Sequence, residues 1–209
     1  MTDFTMQKDA DGVAIITWDV PGKSMNVLSL DGAAELDALI DKALADDAVK
    51  GIVITSGKKD FAAGMDLNVI AAMKDGGAQA VFDGIMGLHH ALRKIELAGM
   101  DPKTKTGGKP IASALPGTAL GIGLELPLAT HRIFAAENPK AKIGLPEIMV
   151  GIFPGAGGTT RLTRKLGAMR PSMLQDVEAG KPVEIDALVS AVRELGQLTQ
   201  VPMPFTDAL

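Results

Sequence analysis

The sequence contains no cysteine, few aromatic residues and no excess of basic charge. Without cysteine there are no disulfides, no thiolate metal sites and no cysteine nucleophiles. Aromatic residues make up only 3% of the 209 residues, so aliphatic side chains and the 11 methionines must supply most of the core packing. The formal net charge of −4 argues against a nucleic-acid-binding protein, which usually has a basic face.

The longest apolar stretch, residues 111–129, approaches the length of a membrane-spanning helix. It contains Glu125, two prolines and several glycines, so we interpret it as buried protein and expect no membrane span. The N-terminal residues are polar and acidic, unlike a secretory signal. Together with the lack of cysteine, they favour a cytoplasmic protein.

Strand-like and helix-like segments alternate through the first 169 residues, which predicts an α/β fold with parallel strands. The predicted strands cover residues 13–18, 51–55, 110–115, 132–135 and 142–145. The predicted helices begin after the capping residue Ser29, near Asp66, at Gly77, near Leu124 and near Thr159. After residue 169 the pattern changes to a single amphipathic helix, so we predict two parts, 1–169 and a helical tail, 170–209.

Two glutamates stand in apolar, glycine-containing segments. Glu125 follows Gly121-Ile122-Gly123, and burial there would raise its pKa into the range useful for acid–base catalysis. It could equally face solvent on the first turn of its helix, where the helix dipole favours a negative charge. Glu147 alone is typical of a surface loop, since charged side chains are usually exposed. As a pair, however, the two carboxylates could converge on one water molecule.

The glycine-rich segments GTALGIG and PGAGG do not match nucleotide-binding motifs. No Gly-Lys-Ser/Thr follows either of them, and Thr160 breaks the dinucleotide pattern. The amides at Gly121-Ile122-Gly123 could instead stabilise an oxyanion. His89, His90 and His131 have neither metal-ligand spacing nor a nucleophile motif, so we expect them at the surface or in packing.

Four segments together resemble the crotonase, or enoyl-CoA hydratase/isomerase, superfamily over about residues 4–169: VPGKSMNVLS, KKDFAAGMDL, PGTALGIGLEL and KIGLPEIMVGIFPGAGGTTRL. The insert IELAGMDPKTKTGGKP is most similar to the N-terminal hydratase part of the multifunctional fatty-acid oxidation proteins, in which a 3-hydroxyacyl-CoA dehydrogenase follows the hydratase. The resemblance implies a spiral of ββα units, and it implies that the crotonase-like core is incomplete at its C-terminal end.

The resemblance also implies a reaction, the addition of water to an enoyl-CoA in β-oxidation. Glu125 would activate the water and Glu147 would exchange the proton at C2, and Δ3-Δ2 isomerisation could use the same pair. The backbone N–H groups of Ala63 and Ile122 would form the oxyanion hole. The residues expected near the substrate or its coenzyme A moiety are Lys23, Met25, Ala62, Gly64, Asp66, Leu67 and Gly121.

Coenzyme A would be part of the substrate, and neither a metal nor a redox cofactor is expected. The implied partners are an acyl-CoA and either further copies of the chain or a thiolase subunit. Two positions depart from the family pattern: Ile122 stands where glycine is usual, and Pro127 where alanine is common. An isoleucine resists positive φ and crowds the acyl path.

Residues 170–209 are similar to the C-terminal end of ketopantoate reductase, where Ser172 and Glu184 match substrate-contacting positions. The nucleotide domain of that family has no counterpart here, so we expect no reductase activity. Two alternatives to a hydratase therefore stand: an inactive crotonase-like scaffold or fusion fragment, and a ketopantoate-reductase-like binding or dimerisation module. Turnover of crotonyl-CoA would distinguish a hydratase from an inactive scaffold. Protection of the protein against heat by pantoate or NADPH would favour the ketopantoate-reductase-like module.

Overall fold

The structure is a computed structural model that describes residues 2–104 and 106–166. Its internal contacts divide the chain into two units, Met1–Lys165 and Leu166–Leu209. The predicted boundary at residue 169, the predicted tail helix, Ser172 and Glu184 lie outside the described residues.

Strands and helices alternate along the described part of the chain, as the sequence predicts. The strands are β1 (Phe4–Lys8), β2 (Val13–Trp18), β3 (Gly51–Ser56), β4 (Ile111–Leu115), β5 (Ala119–Leu120), β6 (Arg132–Ala135) and β7 (Ile143–Gly144). The helices are α1 (Leu30–Ala45), α2 (Leu67–Asp75), α3 (Gly77–Leu97), α4 (Ile122–Ala129), the short 3₁₀ helix Glu147–Val150 and α5 (Gly158–Leu166).

The main sheet has five strands in the order β1-β2-β3-β4-β6. Strand β1 pairs antiparallel with β2, and all the other neighbours are parallel. Strands β5 and β7 form a separate parallel pair. Because β2, β3 and β4 run in the same direction, the loops that follow them leave from one edge of the sheet, which is where α/β proteins commonly bind ligands.

The core lies against one face of this sheet. Buried residues alternate along the central strands, as with Ala14, Ile16 and Trp18 in β2. Side chains of α1 and α3, including Ile40 and Leu92, belong to the same apolar cluster. Burying such side chains contributes roughly 25 cal/mol for each Å² of apolar surface removed from water, which makes this cluster the main source of stability.

The α/β class predicted from the sequence is confirmed, and each predicted strand and helix up to Leu166 is present. Strand β1 was not predicted, because FTMQK is a short polar edge strand without an apolar pattern. Strand β5 lies in a segment predicted as a turn. Helix α4 begins at Ile122, two residues earlier than predicted, which places Pro127 beyond the first turn of the helix.

A fully buried asparagine, Asn26, joins the loops after β2 and β3. Its side-chain oxygen accepts a hydrogen bond from the N–H of Val20 at 3.0 Å. Its Nδ2 group donates to the carbonyl oxygens of Trp18 and Phe61, both at 2.9 Å, and lies 3.0 Å from Ser56 Oγ. The N–H of Val20 and the carbonyl of Phe61 have no other partner among the described residues, while Trp18 and Ser56 are also bound by other groups of the two loops. This one side chain therefore fixes both loops.

Replacing Asn26 with alanine should strongly destabilise the fold. The N–H of Val20 and the carbonyl of Phe61 would lose their partner, while the carbonyl of Trp18 would keep its bond from Gly57, and the free energy of unfolding should fall by about 3 kcal/mol. Urea unfolding measures the loss. The half-buried Asn138 accepts one local hydrogen bond from the N–H of Lys140, so Asn138→Ala should cost less than about 1 kcal/mol. Equal losses in the two variants would contradict the role given to Asn26.

Candidate active site

A largely apolar cavity of about 620 Å³ lies in the first unit, beside α2, α3 and α4. Among the described residues that line it, Glu125 and Glu147 are the two that carry a charge. The other lining residues are Met65, Leu67, Ala71, Gly77, Ala78, Val81, Ile85, Leu88, Ile122, Ile152, Phe153, Gly155 and Ala156. Its volume is in the range of sites that bind small organic ligands.

Glu125 is held inside the protein by the helix that carries it. Every residue of α4 is buried, and Glu125 itself is 3% exposed. Its Oε1 atom accepts hydrogen bonds from the N–H groups of Ala156 at 3.0 Å and Gly158 at 2.8 Å. The second donor is the first residue of α5, where the helix dipole favours a negative charge. The solvent-facing alternative for Glu125 is therefore wrong.

The glycines of PGAGG allow this close approach. A Cβ atom on Gly158 would lie 2.7 Å from Glu125 Cγ and 2.8 Å from its Oε1. Gly157 has a φ of +86°, which side chains disfavour. The segment therefore does not cradle a phosphate but brings two main-chain amides against a carboxylate.

Glu147 opens the 3₁₀ helix and is 8% exposed. Its Oε2 atom is buried and has no hydrogen-bond partner among the described residues. Its Oε1 atom lies beside Gly121, where an added Cβ would be 3.4 Å away. The surface-loop alternative is therefore wrong for Glu147. A buried carboxylate oxygen without a partner is costly, which indicates that it serves something other than stability.

The surroundings of Glu125 favour its neutral form. Burial raises its pKa, and the hydrogen bond from Gly158 opposes that effect. The negative charge of Glu147 raises the pKa further, while Ala156 and the positive charge of Arg161 lower it. Burial and the neighbouring carboxylate outweigh the rest, so the pKa lies above its ordinary value, as suits an acid–base group.

The main-chain donors at the cavity differ from those expected. The N–H of Ala63 donates to the carbonyl oxygen of Asn26 at 2.8 Å, so it cannot also bind a ligand, and this prediction is corrected. Met65 is the lining residue of that segment, and its N–H makes no hydrogen bond with any described residue. The N–H of Ile122 at the start of α4 is equally free within the described chain.

The pairing of the segment explains why the N–H of Met65 is free. The carbonyl of Gly64 accepts from the N–H of Leu28, and the N–H of Asp66 donates to the carbonyl of Leu28, both at 2.9 Å. Groups of successive residues in an extended chain point to opposite sides. Met65, between the two, therefore presents its N–H away from Leu28. In the sequence, Met65 stands two residues after Ala63 in KKDFAAGMDL, and this position in the motif could have indicated it as the donor.

Ile122 adopts the helix without the conflict expected for it. The positive φ in this segment belongs to Gly121, at 56°, and among the described non-glycine residues positive φ occurs at Ala98. Ile122 is 5% exposed and lines the cavity, so its side chain does narrow the space available to a ligand.

The residues predicted to contact coenzyme A fall into different places. Leu67 lines the cavity and is largely exposed. Lys23 and Asp66 form an ion pair of 2.7 Å near the surface, and hydrogen bonds from Lys23 and Asn68 lower the pKa of Asp66. This pair joins the loops after β2 and β3, and Asp66 lies between Met65 and Leu67, which line the cavity.

The remaining predicted contacts are less accessible. Ala62 is fully buried, so no ligand can touch it, and this prediction is also corrected. Met25 is half-buried and is absent from the cavity lining. Gly64 and Gly121 lie side by side next to Glu147, because a Cβ on Gly121 would be 3.8 Å from the Gly64 Cα.

Two charged residues near the site were missed from the sequence, Arg161 and Glu96. Arg161 is 9% exposed and donates to the carbonyl of Ala156 at 2.7 Å. Its position in the last motif, three residues after Gly158 in KIGLPEIMVGIFPGAGGTTRL, could have indicated that it lies near the site. His131 has a packing role, as predicted: its Nδ1 atom accepts from the N–H of Ile111 at 2.9 Å.

The described fold and site define an α/β protein in which a carboxylate pair and free main-chain donors surround an apolar cavity. Residues 8–177 match the family Enoyl-CoA hydratase/isomerase, and the chain belongs to this family. Residues 156–209 also match a second family, Ketopantoate reductase PanE/ApbA C terminal. Both resemblances seen in the sequence are thereby confirmed.

Curated relatives include the fatty acid oxidation complex subunit alpha of Idiomarina loihiensis, 38% identical over 176 residues. The same subunit of Shewanella amazonensis is 36% identical over 165 residues. These matches cover 80% and 78% of the chain, respectively, but the chain spans only 22% of the length of either relative.

Solved structures of enoyl-CoA hydratases share the fold. The enzyme from Geobacillus kaustophilus superposes with a TM-score of 0.69 at 27% identity, over 90% of this chain and 65% of its own. The Bacillus anthracis enzyme gives 0.68 at 29% identity, over 83% and 62%. The crotonase-like fold is therefore confirmed. Within residues 2–104 and 106–166, no helix is long and apolar enough to cross a membrane.

Replacing Glu125 with glutamine should stabilise the protein at neutral pH. A folded-state pKa above the unfolded value means that the folded chain holds this proton more tightly, so its stability falls as pH rises through that window. Below the ordinary glutamate pKa the two proteins should be equally stable, and above the raised pKa Glu125→Gln should be the more stable. Urea unfolding at intervals from about pH 4 to about pH 8 measures the difference.

The matched control for this experiment is Glu137→Gln, because Glu137 is exposed and its side chain forms no hydrogen bond or ion pair with the described residues. It should show no pH-dependent difference from the wild type. A Glu125→Gln variant that is less stable than the wild type at neutral pH would contradict the raised pKa.

Proposed function

We propose that this chain adds water across the 2,3 double bond of an enoyl-CoA thioester, the reaction for which the structural relatives from Geobacillus kaustophilus and Bacillus anthracis are named. One observation supports this above the others. Glu125 and Glu147, from distant parts of the sequence, line one apolar cavity together with Met65 and Ile122, whose N–H groups have no partner among the described residues. Acid, base and oxyanion donors around one acyl-sized space are what hydration of a conjugated thioester requires.

In the proposed mechanism the thioester oxygen accepts hydrogen bonds from the N–H groups of Met65 and Ile122. Water attacks C3 while Glu125 removes one of its protons, and the electron pair of the double bond moves toward the thioester to give an enolate. The two amides stabilise this charge, a contribution of about 3–4 kcal/mol for a single such donor. Glu147 then delivers a proton to C2, and the 3-hydroxyacyl thioester leaves. Glu125 next gives up the proton that it took from water and Glu147 takes one up, both by exchange with solvent, which restores the starting state.

The hydrogen bonding of each carboxylate suits its proposed role. Both amides that hold Glu125 bind its Oε1, which leaves Oε2 to bind and deprotonate water. The raised pKa makes the ionised form a stronger base. Glu147 has an oxygen without a partner among the described residues, which leaves that oxygen available for exchange of a proton with the substrate.

The lining of the cavity supports an acyl chain as the bound part of the substrate. Val81, Ile85 and Phe153 offer an apolar surface to its hydrocarbon tail. We assign the coenzyme A moiety to the exposed side near Lys23, Asp66 and Leu67. The addition of water transfers no net electrons, so the proposal needs no redox cofactor and uses no metal.

Isomerisation of a 3-enoyl to a 2-enoyl thioester would need only one carboxylate to move a proton from C2 to C4 beneath the same oxyanion donors. It is the subsidiary activity in this proposal. Formation of the conjugated thioester from a 3-enoyl-CoA, followed by its ultraviolet absorbance, tests it directly.

Glu125→Gln and Glu147→Gln should each lower kcat for crotonyl-CoA hydration by about 10²- to 10⁴-fold, the range for removing a general acid or base. KM should change much less, because neither substitution removes apolar surface from the cavity. Loss of the absorbance of the conjugated thioester measures the rate.

Glu137→Gln is the control here as well and should retain wild-type turnover. Wild-type rates in both site variants would overturn the mechanism. A wild-type chain with no turnover, although folded, would favour the inactive scaffold.

A further inference from the structure

Both main-chain groups of Ala156, its N–H and its C=O, form hydrogen bonds with buried charged side chains. While its N–H donates to Glu125, its C=O accepts from Arg161 Nη1 at 2.7 Å. The backbone N–H of Arg161 also donates to the carbonyl of Gly157 at 3.1 Å. The loop of residues 154–158 is therefore clamped between the carboxylate on one side and the guanidinium on the other.

The guanidinium fits against this loop because the loop lacks a side chain there. A Cβ on Gly157 would lie 2.7 Å from Arg161 Nη1 and 3.6 Å from its Cζ. Arg161 is 9% exposed, although arginine is seldom buried without partners. Its Nε atom is buried and makes no hydrogen bond with the described residues. The orientation of the guanidinium is therefore set by the contacts of Nη1 and Nη2.

Glu96, near the end of α3, holds the other side of Arg161. Its Oε2 atom lies 3.6 Å from Arg161 Nη2 and accepts from Arg93 at 2.8 Å, while Oε1 accepts from Arg164 at 3.2 Å. Burial raises the pKa of Glu96, but the three arginines outweigh it and bring the pKa below its usual value. Glu96 therefore stays ionised and attracts Arg161 throughout the neutral range.

We propose that Arg161 is a positioning residue for catalysis, which holds the 154–158 loop so that the amides of Ala156 and Gly158 fix Glu125, and that Glu96 orients Arg161. This inference rests on the proposed function for its catalytic part. Arg161 is not among the residues that line the cavity, so it would act through Glu125 rather than on the substrate.

The charges around Glu125 determine in which direction its pKa should change when Arg161 is replaced. Glu147 faces it from the 3₁₀ helix and Arg161 from α5, and the positive charge of Arg161 lowers the pKa of Glu125. Behind Arg161 stand Glu96 of α3, with its partners Arg93 and Arg164, and the ring of His89 beside Gly157. Loss of Arg161 removes a positive charge and loosens two amide donors. Both effects raise the pKa of Glu125.

The test compares Arg161→Met and Arg161→Lys with Arg164→Met, on crotonyl-CoA. Arg164 is the matched control: it lies on the same helix and binds the same glutamate, but is largely exposed and does not touch the loop. In Arg161→Met, kcat at pH 7 should fall by about 10- to 100-fold, since displacements of about 1 Å can cost that much, with KM nearly unchanged. The acid limb of the kcat profile should also move to higher pH.

Arg161→Lys keeps the charge and one donor, so it should restore the position of the acid limb and part of kcat. Glu96→Gln should shift the limb in the same direction as Arg161→Met, but less. Arg164→Met should coincide with the wild type. A wild-type profile in both Arg161→Met and Glu96→Gln would overturn the inference.

A second readout works without turnover. The carboxyl carbon of Glu125 can be followed by ¹³C NMR in protein labelled at glutamate, with its signal assigned by its loss in Glu125→Gln. Its titration should move to higher pH in Arg161→Met and stay in place in Arg164→Met. If the wild type does not hydrate crotonyl-CoA, the proposed function fails while this titration still decides the positioning role, and an unchanged Glu125 titration in Arg161→Met would reject it.

Discussion

The burial of Glu125 is the constraint on which the rest of the site depends. A carboxylate in apolar surroundings is tolerated only with partners, and here the partners are two main-chain amides from a segment about 30 residues further along the chain. This requirement explains why PGAGG ends in Gly158, where a side chain would meet the carboxylate, and why α5 starts where its dipole faces the carboxylate. The acid–base group and the loop that holds it form one structural unit.

Stability and chemistry oppose each other at this unit. The core of β2, β3, α1 and α3 is apolar and well buried, and it offsets the cost of two carboxylates placed beside one cavity. The N–H groups of Met65 and Ile122, like one oxygen of Glu147, have no partner among the described residues, and in the proposed function the substrate completes them. Membership of the enoyl-CoA hydratase/isomerase family accounts for the fold that supports this arrangement.

The sequence predicted most of the fold, because strands β2, β3 and β4 are apolar runs and the helices have clear periodicity. It also predicted that Glu125 and Glu147 converge, and both line one cavity in the structure. It could not decide which N–H groups are free, since that depends on pairing between distant segments, as between Ala63 and Asn26. Arg161 was missed because an arginine near a helix start is usually solvated, and its contact with Ala156 depends on a turn that composition does not reveal.

The network of Asn26 also limits which residue can replace it. Its Nδ2 group has two hydrogens and faces three oxygens, those of Trp18, Phe61 and Ser56. Hydrolysis of the side-chain amide to aspartate would turn this donor into an acceptor and place it against those oxygens in a site without water exposure. Deamidation of Asn26 would therefore separate the loops after β2 and β3. Because Met65 lies in the second of these loops, its free N–H group would be displaced as well.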